Sequence, residues 1–496
     1  MELYSHIREL CRKGENTEVE FKSCKGGLSQ SMWETYSSFA NTNGGIIVLG
    51  IKEKDNKFYP DELTSEQVAK YKKLYWDDVH NRNKVSACLT MDADVFDIEY
   101  EGSHLMIVRV PRAHYSKRPV YLTQNPFGHT YVRRHEGDYL LSDDEVRKMF
   151  SDANIATHPL DGKIYKHFTL EKNFDATTIR QYRQVFNLNH EGHAWIGLSD
   201  MDFFKKIGGY VTDAETGEEG FTLAAVLMFG LDETILSALP HFYVDFREKL
   251  SNNPDIRWTD RIHPDGNWVA NLYQFHRRVY MKMAQSLPVP FKLEGLQRID
   301  DTPAHKALRE AIVNTIIHAR LNSMHCIVIE HYPDRFVFRN PGCLLIPVEQ
   351  YFEGGTSICR NSILQKMFEF IGEGERAGSG VDTIKKGWKE NGWAEPQVRE
   401  INDPEQVELT LYLGSAAANT TEKTTEKTTE KTTEKTTEKI LAALKDNPHL
   451  SNKELAELCG ITEDGIYYNM RKLKESGQIR RVGPDKGGHW EIIDAK

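Results

Sequence analysis

The sequence is short of cysteine, with seven in 496 residues and no Cys-x-x-Cys pair. That excludes a disulfide framework and a zinc ribbon, and it leads us to expect reduced thiols. There is no run of about 18 apolar residues, and Met1 to Gly14 lacks the apolar core of a signal peptide. No membrane partner is therefore expected, and the expected location is cytoplasmic. Net positive charge is missing too: 63 basic against 73 acidic residues leave −10. This argues against a chain that coats nucleic acid indiscriminately, although local basic patches remain open. Finally, no Gly-x-x-x-x-Gly-Lys-Ser/Thr loop occurs, so the phosphate cradle of a helicase-type motor is absent.

What is present is ordinary globular material, 39% hydrophobic and 27% charged, long enough for about two to four domains. One stretch organises the rest. In Ala307-Leu-Arg-Glu-Ala-Ile-Val-Asn-Thr-Ile-Ile-His318, helical spacing places Glu310, Asn314 and His318 on one stripe, while Leu308, Ile312, Val313, Ile316 and Ile317 cover most of the remaining surface. A carboxylate, a carboxamide and an imidazole buried in a row suit a hydrated cation, a polarised water and a phosphate. The alternative is an amphipathic helix with a narrow wet face. After it, Cys326 to Glu330 and Arg335 to Phe338 read as paired strands, the second running into Asn340-Pro-Gly342. The glycine clusters Gly354 to Asn361, which includes Arg360, and Gly372 to Gly380 each precede an apolar segment of helical spacing. Backbone N–H groups there can face phosphates.

Residues 290–414 thereby resemble the divergent GHKL-type ATPase domain at the C-terminal end of RecG-like proteins. The resemblance implies ATP and Mg2+ as ligands. Glu310 would be the base that orients water, Asn314 the magnesium ligand, with His318, Asp334, Asn340, Gly342, Arg360, Gly378, Ser379 and Gly380 around the nucleotide. The Asn-Pro-Gly-Cys turn and the Ala319-Arg320 pair after His318 depart from the common pattern, so ATP binding is expected ahead of hydrolysis.

Near the start, Glu18 to Lys22 alternates as a half-buried strand, Met32 to Ala40 has helical spacing, and Ile46 to Ile51 is a continuous apolar run entered through Gly44-Gly45. With Glu20-Phe-Lys22 and Phe39-Ala-Asn-Thr-Asn-Gly-Gly45 in this order, residues 1–153 resemble the Schlafen/AlbA-type domain. That family includes DNA-binding regulators and metal-dependent RNA-cleaving enzymes. The second activity would place Glu15, Glu20 and Glu53 around Mg2+ or Mn2+, with Lys22 beside the nucleic acid; the alternative is three solvated or salt-bridged glutamates. Ser116 to Tyr121 and Thr130 to Arg134 read as a strand pair whose arginines and aromatics suit phosphates and bases, or a solvated hairpin equally. Ser142 caps a helix that ends near Ala153.

Residues 154–289 alternate helices and strands without a chemical motif and are expected to be a connector. Residues 415–439 hold Thr-Thr-Glu-Lys in five unbroken copies, which cannot form a core. Residues 440–496 resemble a winged helix-turn-helix. Tyr467, Tyr468, Asn469, Arg471, Lys472 and Lys474 fall on its candidate recognition helix, with Arg480 and Arg481 just beyond. These side chains suit DNA, although the same fold also docks proteins. The expectation is an α+β multidomain chain: a Schlafen/AlbA-like α/β domain, a GHKL-like α/β sandwich and a C-terminal winged helix. It would act as an ATP-responsive, nucleic-acid-binding regulator, and a homo-oligomer. The competing expectation is an ATP-gated nuclease, serving in defence against foreign nucleic acid.

Overall fold

The computed structural model describes residues 8–11, 14–54, 57–253, 255–289, 293–294, 297–298, 301–355, 358–374, 379–402, 404–414, 440–441, 443–445, 447–459, 466, 470, 473–474, 479–482 and 489–492. Two compact units emerge, Met1–Asn391 with Glu395–Tyr412, and Gly392–Ala394 with Leu413–Lys496. Helices and sheets mix throughout, as an α+β multidomain chain requires.

The first unit opens with β1 (Val19–Lys22), α1 (Gln30–Asn41), β2 (Gly44–Leu49), a hairpin of β3 (Ile51–Lys54) and β4 (Lys57–Pro60), α2 (Ser65–Val79), β5 (Val95–Tyr100) and β6 (Ser103–Pro111). The sheet order is β1-β2-β6-β5, with β1 and β2 parallel and the remaining pairs antiparallel. The apolar run in β2 is explained by burial on both faces. Ile47 and Leu49 join Met32, Trp33, Tyr36 and Phe39 of α1 in one core, whereas Val48 joins Val19, Phe21 and Ile107 in the other.

Strand β7 (Tyr131–Arg134) pairs with β8 (Gly137–Leu140), not with Ser116 to Tyr121 as the sequence suggested; Tyr121 and Thr130 share a single bridge. Side chains of α1 and the turn after it account for the difference. Asn41 Oδ1 accepts from Val120 N at 2.8 Å, and Asn41 Nδ2 donates to Tyr131 O at 3.0 Å. Ser37 Oγ donates to Val120 O at 2.7 Å and accepts from Tyr131 N at 3.1 Å, while Thr42 Oγ1 accepts from Arg133 N at 2.9 Å. The Phe-Ala-Asn-Thr motif thus replaces the ladder that a strand pair would have made. Helix α3 (Asp143–Ala153) follows with the expected cap, Ser142, whose side chain accepts from Glu145 N.

The stretch expected as a connector contains a small sheet ordered β10 (Tyr210–Thr212), β11 (Glu219–Thr222), β9 (Ile164–Tyr165), and the helices α4 (Leu170–Asn173), α5 (Ala176–Asn189), α6 (Asp200–Ile207), α7 (Leu223–Phe229) and α8 (Asp232–Ala238). It does not end as a separate body at 289. Its strands β12 (Val244–Glu248) and β13 (Asp260–Ile262) enter the main sheet, and α9 (Leu272–Ala284) packs on the helix that follows. After the ribbon β14 (Leu293–Glu294) and β15 (Gln297–Arg298) come α10 (Pro303–Ile317), β16 (Ile327–His331), β17 (Arg335–Pro341), α11 (Val348–Glu353), α12 (Ser362–Glu369), α13 (Gly380–Lys389), β18 (Gln397–Asn402) and β19 (Glu405–Tyr412). The six-stranded order is β13-β12-β16-β17-β19-β18, parallel only between β12 and β16.

The second unit has a core of Ile440, Leu444, Leu455, Ile466, Met470, Leu473 and Ile479. Helix α14 (Asn452–Cys459) follows Ser451, which donates its N–H to Glu454 Oε2 at 2.8 Å, and β20 (Ile479–Val482) pairs antiparallel with β21 (His489–Ile492). The tether at 415–439 lies outside the described residues.

Candidate nucleotide-binding site

Helix α10 starts at Pro303, whose lost N–H costs nothing at a helix N-terminus, and buries Leu308, Ile312, Val313 and Ile316. Its partner α13 comes unusually close through two glycines seven residues apart. A Cβ on Gly387 would lie 2.4 Å from Pro303 O and 2.7 Å from Ala307 Cβ, and one on Gly380 would lie 2.0 Å from Glu310 Oε1. The carboxylate of Glu310 therefore sits against the first turn of α13, where the helix dipole favours negative charge.

The expected stripe opens on a cavity. Glu310, Asn314, His318, Asn340, Arg360 and Gly380 line it together with Leu344, Ile346, Tyr351, Val398, Val407 and Leu409. Asn314 Nδ2 donates to Glu310 Oε1 at 3.1 Å, which leaves Oδ1 as its atom for a cation. Burial, helped by the Arg360 charge, pushes the His318 imidazole down to about 4, so it is neutral at pH 7 and can donate or accept one hydrogen bond. Burial raises the Tyr351 hydroxyl, and the Glu310 charge adds to it. Asn361 fixes the far end of α10: its Nδ2 donates to Ile317 O at 3.0 Å and to Ala319 O at 2.8 Å, satisfying carbonyls that the helix leaves over. The sequence reading missed Asn361, and equally the apolar wall from β18 and β19.

Arg360 is buried and already engaged. It pairs with Asp152, the penultimate residue of α3, and donates through Nη2 to Cys343 O at 2.7 Å. Arg320 Nη2 meets the same carboxylate at 2.7 Å, and Arg320 Nη1 meets Glu405 at 2.6 Å. Burial alone would raise the Asp152 carboxyl, but the two guanidiniums outweigh it and hold it below the usual range.

Not every expected residue is here. Asp334 lies exposed in the β16–β17 turn, ion-paired with Arg335 at 2.9 Å, and is no part of the cavity. An acidic residue beside a proline turn is explained by the turn itself. Gly342, at a left-handed φ of 107°, lines a neighbouring cleft and not this cavity, Ser379 precedes α13, and Gly378 falls outside the described residues. Oxygen atoms of Glu310 and Asn314 suit Mg2+, which takes one or two side-chain ligands and completes its shell from phosphates and water. The cavity measures about 90 Å³, below the roughly 300–1,000 Å³ of small-molecule sites, so a nucleotide would have to widen it.

The N-terminal carboxylates do not assemble as expected for a metal centre. Glu20 is buried between Arg133, at 2.6 Å, and Lys22, while Arg133 also holds Asp138 at 3.0 Å and donates through Nη2 to Asn16 O at 2.9 Å. Glu15 accepts from Phe21 N at 3.0 Å, and burial together with the Glu20 charge raises its carboxyl. Glu53 is exposed on β3. Among the described residues no three carboxylate, imidazole or thiolate groups are placed to hold a metal ion. The reason is that Glu20 is neutralised by a guanidinium rather than left for a cation. Lys22, expected beside nucleic acid, is likewise tied to Glu20.

In the second unit Lys474 is exposed, and Arg480 lies on β20, paired with Glu491 across the hairpin at 2.5 Å. Arg481 lies on the same strand. Tyr467, Tyr468, Asn469, Arg471 and Lys472 fall outside the described residues. Among the described residues no helix is long and apolar enough to cross a membrane.

Comparison with known proteins orders these parts. Residues 15–142 match the family described as Schlafen, AlbA_2, and residues 325–411 match "Putative ATP-dependent DNA helicase recG C-terminal". Residues 433–480 match winged helix-turn-helix DNA-binding, and residues 147–245 match a domain of unknown function, DUF8451. Among curated proteins none matches. Among solved structures, the DIP2311 protein of Corynebacterium diphtheriae is 14% identical, with 99% of both chains covered and a TM-score of 0.39. The N-terminal domain of a RecG-related protein of Nitrosomonas europaea is 20% identical over 27% of this chain and 86% of that one, with a TM-score of 0.22.

Proposed function

From a chain that matches, in order, a Schlafen AlbA_2 domain, a recG C-terminal ATPase-like domain and a DNA-binding winged helix, we infer an ATP-responsive DNA-binding regulator of the cytoplasm. The observation that carries the nucleotide part is the Glu310–Asn314–His318 stripe. Glu310 is buried and Asn314 and His318 half-buried, and the stripe opens on a cavity and faces the N-terminal turn of a glycine-led helix. Asn314 would hold Mg2+ through Oδ1, and Glu310 would orient a water molecule toward the terminal phosphate. Mg2+ supplies neutralisation of phosphate charge. His318, neutral and half-buried, positions a polar group of the nucleotide without adding charge. The apolar strip from β18 and β19 lines the same cavity and suits a flat heterocycle.

Responsiveness follows from Arg360. It lines the cavity and is bound to a carboxylate of α3, so a phosphate reaching Arg360 competes with Asp152 for it. Titration calorimetry with Mg2+ and ATP tests the assignment. Asn314→Ala is expected to abolish Mg2+-dependent binding, and Glu310→Ala to keep binding and remove any turnover. ATP affinity left intact by Asn314→Ala would sink it.

A further inference from the structure

On the other side of Asp152 lies a second cleft of about 340 Å³, between β6–α3 and the strands β17–β19. Its size falls within the roughly 300–1,000 Å³ of small-molecule sites. Four of its six arginine and lysine side chains are paired with carboxylates. Arg112 and Arg118 are not, among the described residues. Arg112 donates only to neutral oxygens, Leu344 O at 3.1 Å and Asn43 Oδ1 at 3.3 Å. Arg118 is 8% exposed, and its guanidinium has no hydrogen-bond or ion-pair partner among the described residues. The remaining cleft carboxylate, Glu400, accepts from Leu344 N at 2.7 Å.

A largely buried cation that faces a cleft without an ion-pair partner, beside a second cation, is costly for a fold to keep unless something in the cleft satisfies it. Burial lowers the basicity of Arg118, and although Cys343, Asp152 and Glu400 oppose it without reaching contact, burial and the Arg112 charge together prevail. Arg320, although paired through both terminal nitrogens, keeps its Nε buried without an acceptor. Each of these groups is a donor; what is missing is an acceptor with more than one negative charge.

We propose that this cleft is a binding site for a small phosphomonoester, whose phosphate sits between the Arg112 and Arg118 guanidiniums. A carboxylate would bring one charge and a single plane. A phosphate brings close to two charges near neutral pH and oxygens in several directions, which two forks at different angles can share. The cleft exceeds a bare phosphate, and Tyr115, Val132 and Met149 line it as apolar surface for the group that carries the phosphate. Neither arginine lines the nucleotide pocket.

The test uses the full chain, titrated with inorganic phosphate and with glycerol 3-phosphate against chloride at matched ionic strength, by calorimetry and thermal unfolding. Both phosphates are expected to bind and raise the unfolding midpoint. Arg118→Gln and Arg112→Gln are each expected to weaken binding about tenfold or more, the loss of a charge-assisted hydrogen bond, and Asn314→Ala to bind phosphate as before. Without phosphate, Arg118→Gln should unfold no earlier than wild type, because only an uncompensated charge is removed. Wild-type protein that ignores phosphate, or Arg118→Gln that binds it equally well, would overturn the proposal. So would a lower midpoint for Arg118→Gln without phosphate. Displacement of bound phosphate by a DNA duplex, with glycerol 3-phosphate not bound, would reassign the cleft to a nucleic-acid backbone and refute the small-ligand reading.

Discussion

Asp152→Ala isolates the link between the nucleotide pocket and the N-terminal domain. The carboxylate is 6% exposed as a residue and holds two guanidiniums, of which Arg360 is 4% exposed. After the substitution Arg320 still has Glu405 at 2.6 Å, but Arg360 retains only the uncharged carbonyl and thiol of Cys343 among the described residues. Leaving one buried charge uncompensated costs about 3–5 kcal/mol, whereas removing both partners in Asp152→Ala with Arg360→Met should cost less than the sum of the single changes. The coupling in that double-mutant cycle is expected at about 2 kcal/mol or more. Urea unfolding followed by tryptophan fluorescence measures it, and hydrogen exchange of α3 amides assigns it to that helix.

The pH dependence has a definite sign. Because the folded carboxyl is held below its ordinary value of 3.8, its stabilisation is complete above that value and is lost as pH falls through the lower folded one. The difference between wild type and Asp152→Asn should thus be flat from pH 8 to 5 and close only below about pH 4. Folded Asp152→Asn should also bind ATP more tightly, since Arg360 no longer has to leave a carboxylate. A cycle coupling under about 0.5 kcal/mol, or weaker ATP binding by a fully folded variant, would refute the argument.

Two further outcomes concern Glu373, after α12, and Gly387 of α13. Glu373, pushed up to about 7 from 4.5 by burial in spite of Arg309, binds its proton more tightly in the folded chain; that contribution is present below pH 4.5 and lost as pH rises through 7. Glu373→Gln should therefore stabilise the protein at pH 8 by up to about 3 kcal/mol and leave it unchanged at pH 4, as urea midpoints at the two pH values would reveal. Gly387→Ala, whose Cβ would lie 2.4 Å from a backbone oxygen, should lower stability by about 2–3 kcal/mol, against about 0.5 or less for Gly26→Ala, where nothing lies within 4 Å; equal urea midpoints for the two would show that α13 can shift freely.

The parts of this molecule that sequence made legible are those written in neighbouring residues. The polar stripe of α10 repeats every fourth position among apolar residues, and both serine caps, at 142 and 451, find their glutamate three residues on. Strands β16 and β17 share a short turn. What escaped depends on partners far away in the chain. Glu20 reads as a metal ligand until Arg133, 113 positions on, closes over it. Arg360 gives no sign in the sequence that Asp152, 208 positions back, holds it. The strand β12 gives no sign that its parallel neighbour is Ile327–His331. Asp334 misled for the opposite reason: its chemistry suited a nucleotide, but a local turn was sufficient cause for it.

Asp152 stands between two sites that each need the arginines around it. Toward one side its carboxylate holds Arg360, a wall of the α10 cavity; toward the other it borders the cleft of Arg112 and Arg118 and holds Arg320 there. A phosphate that draws Arg360 away frees carboxylate charge to face the cleft, which disfavours a second anion, whereas an anion bound at Arg112 and Arg118 attracts Arg320 away from Asp152 and so tightens the hold of that carboxylate on Arg360. Either path gives opposition between the two ligands. Linkage makes that opposition reciprocal: whatever factor one ligand imposes on the affinity of the other must be returned. The ion network thus has a use that an apolar contact of the same size would not provide, since a well-packed hydrophobic junction would hold α3 at least as firmly but could not be loosened by charge.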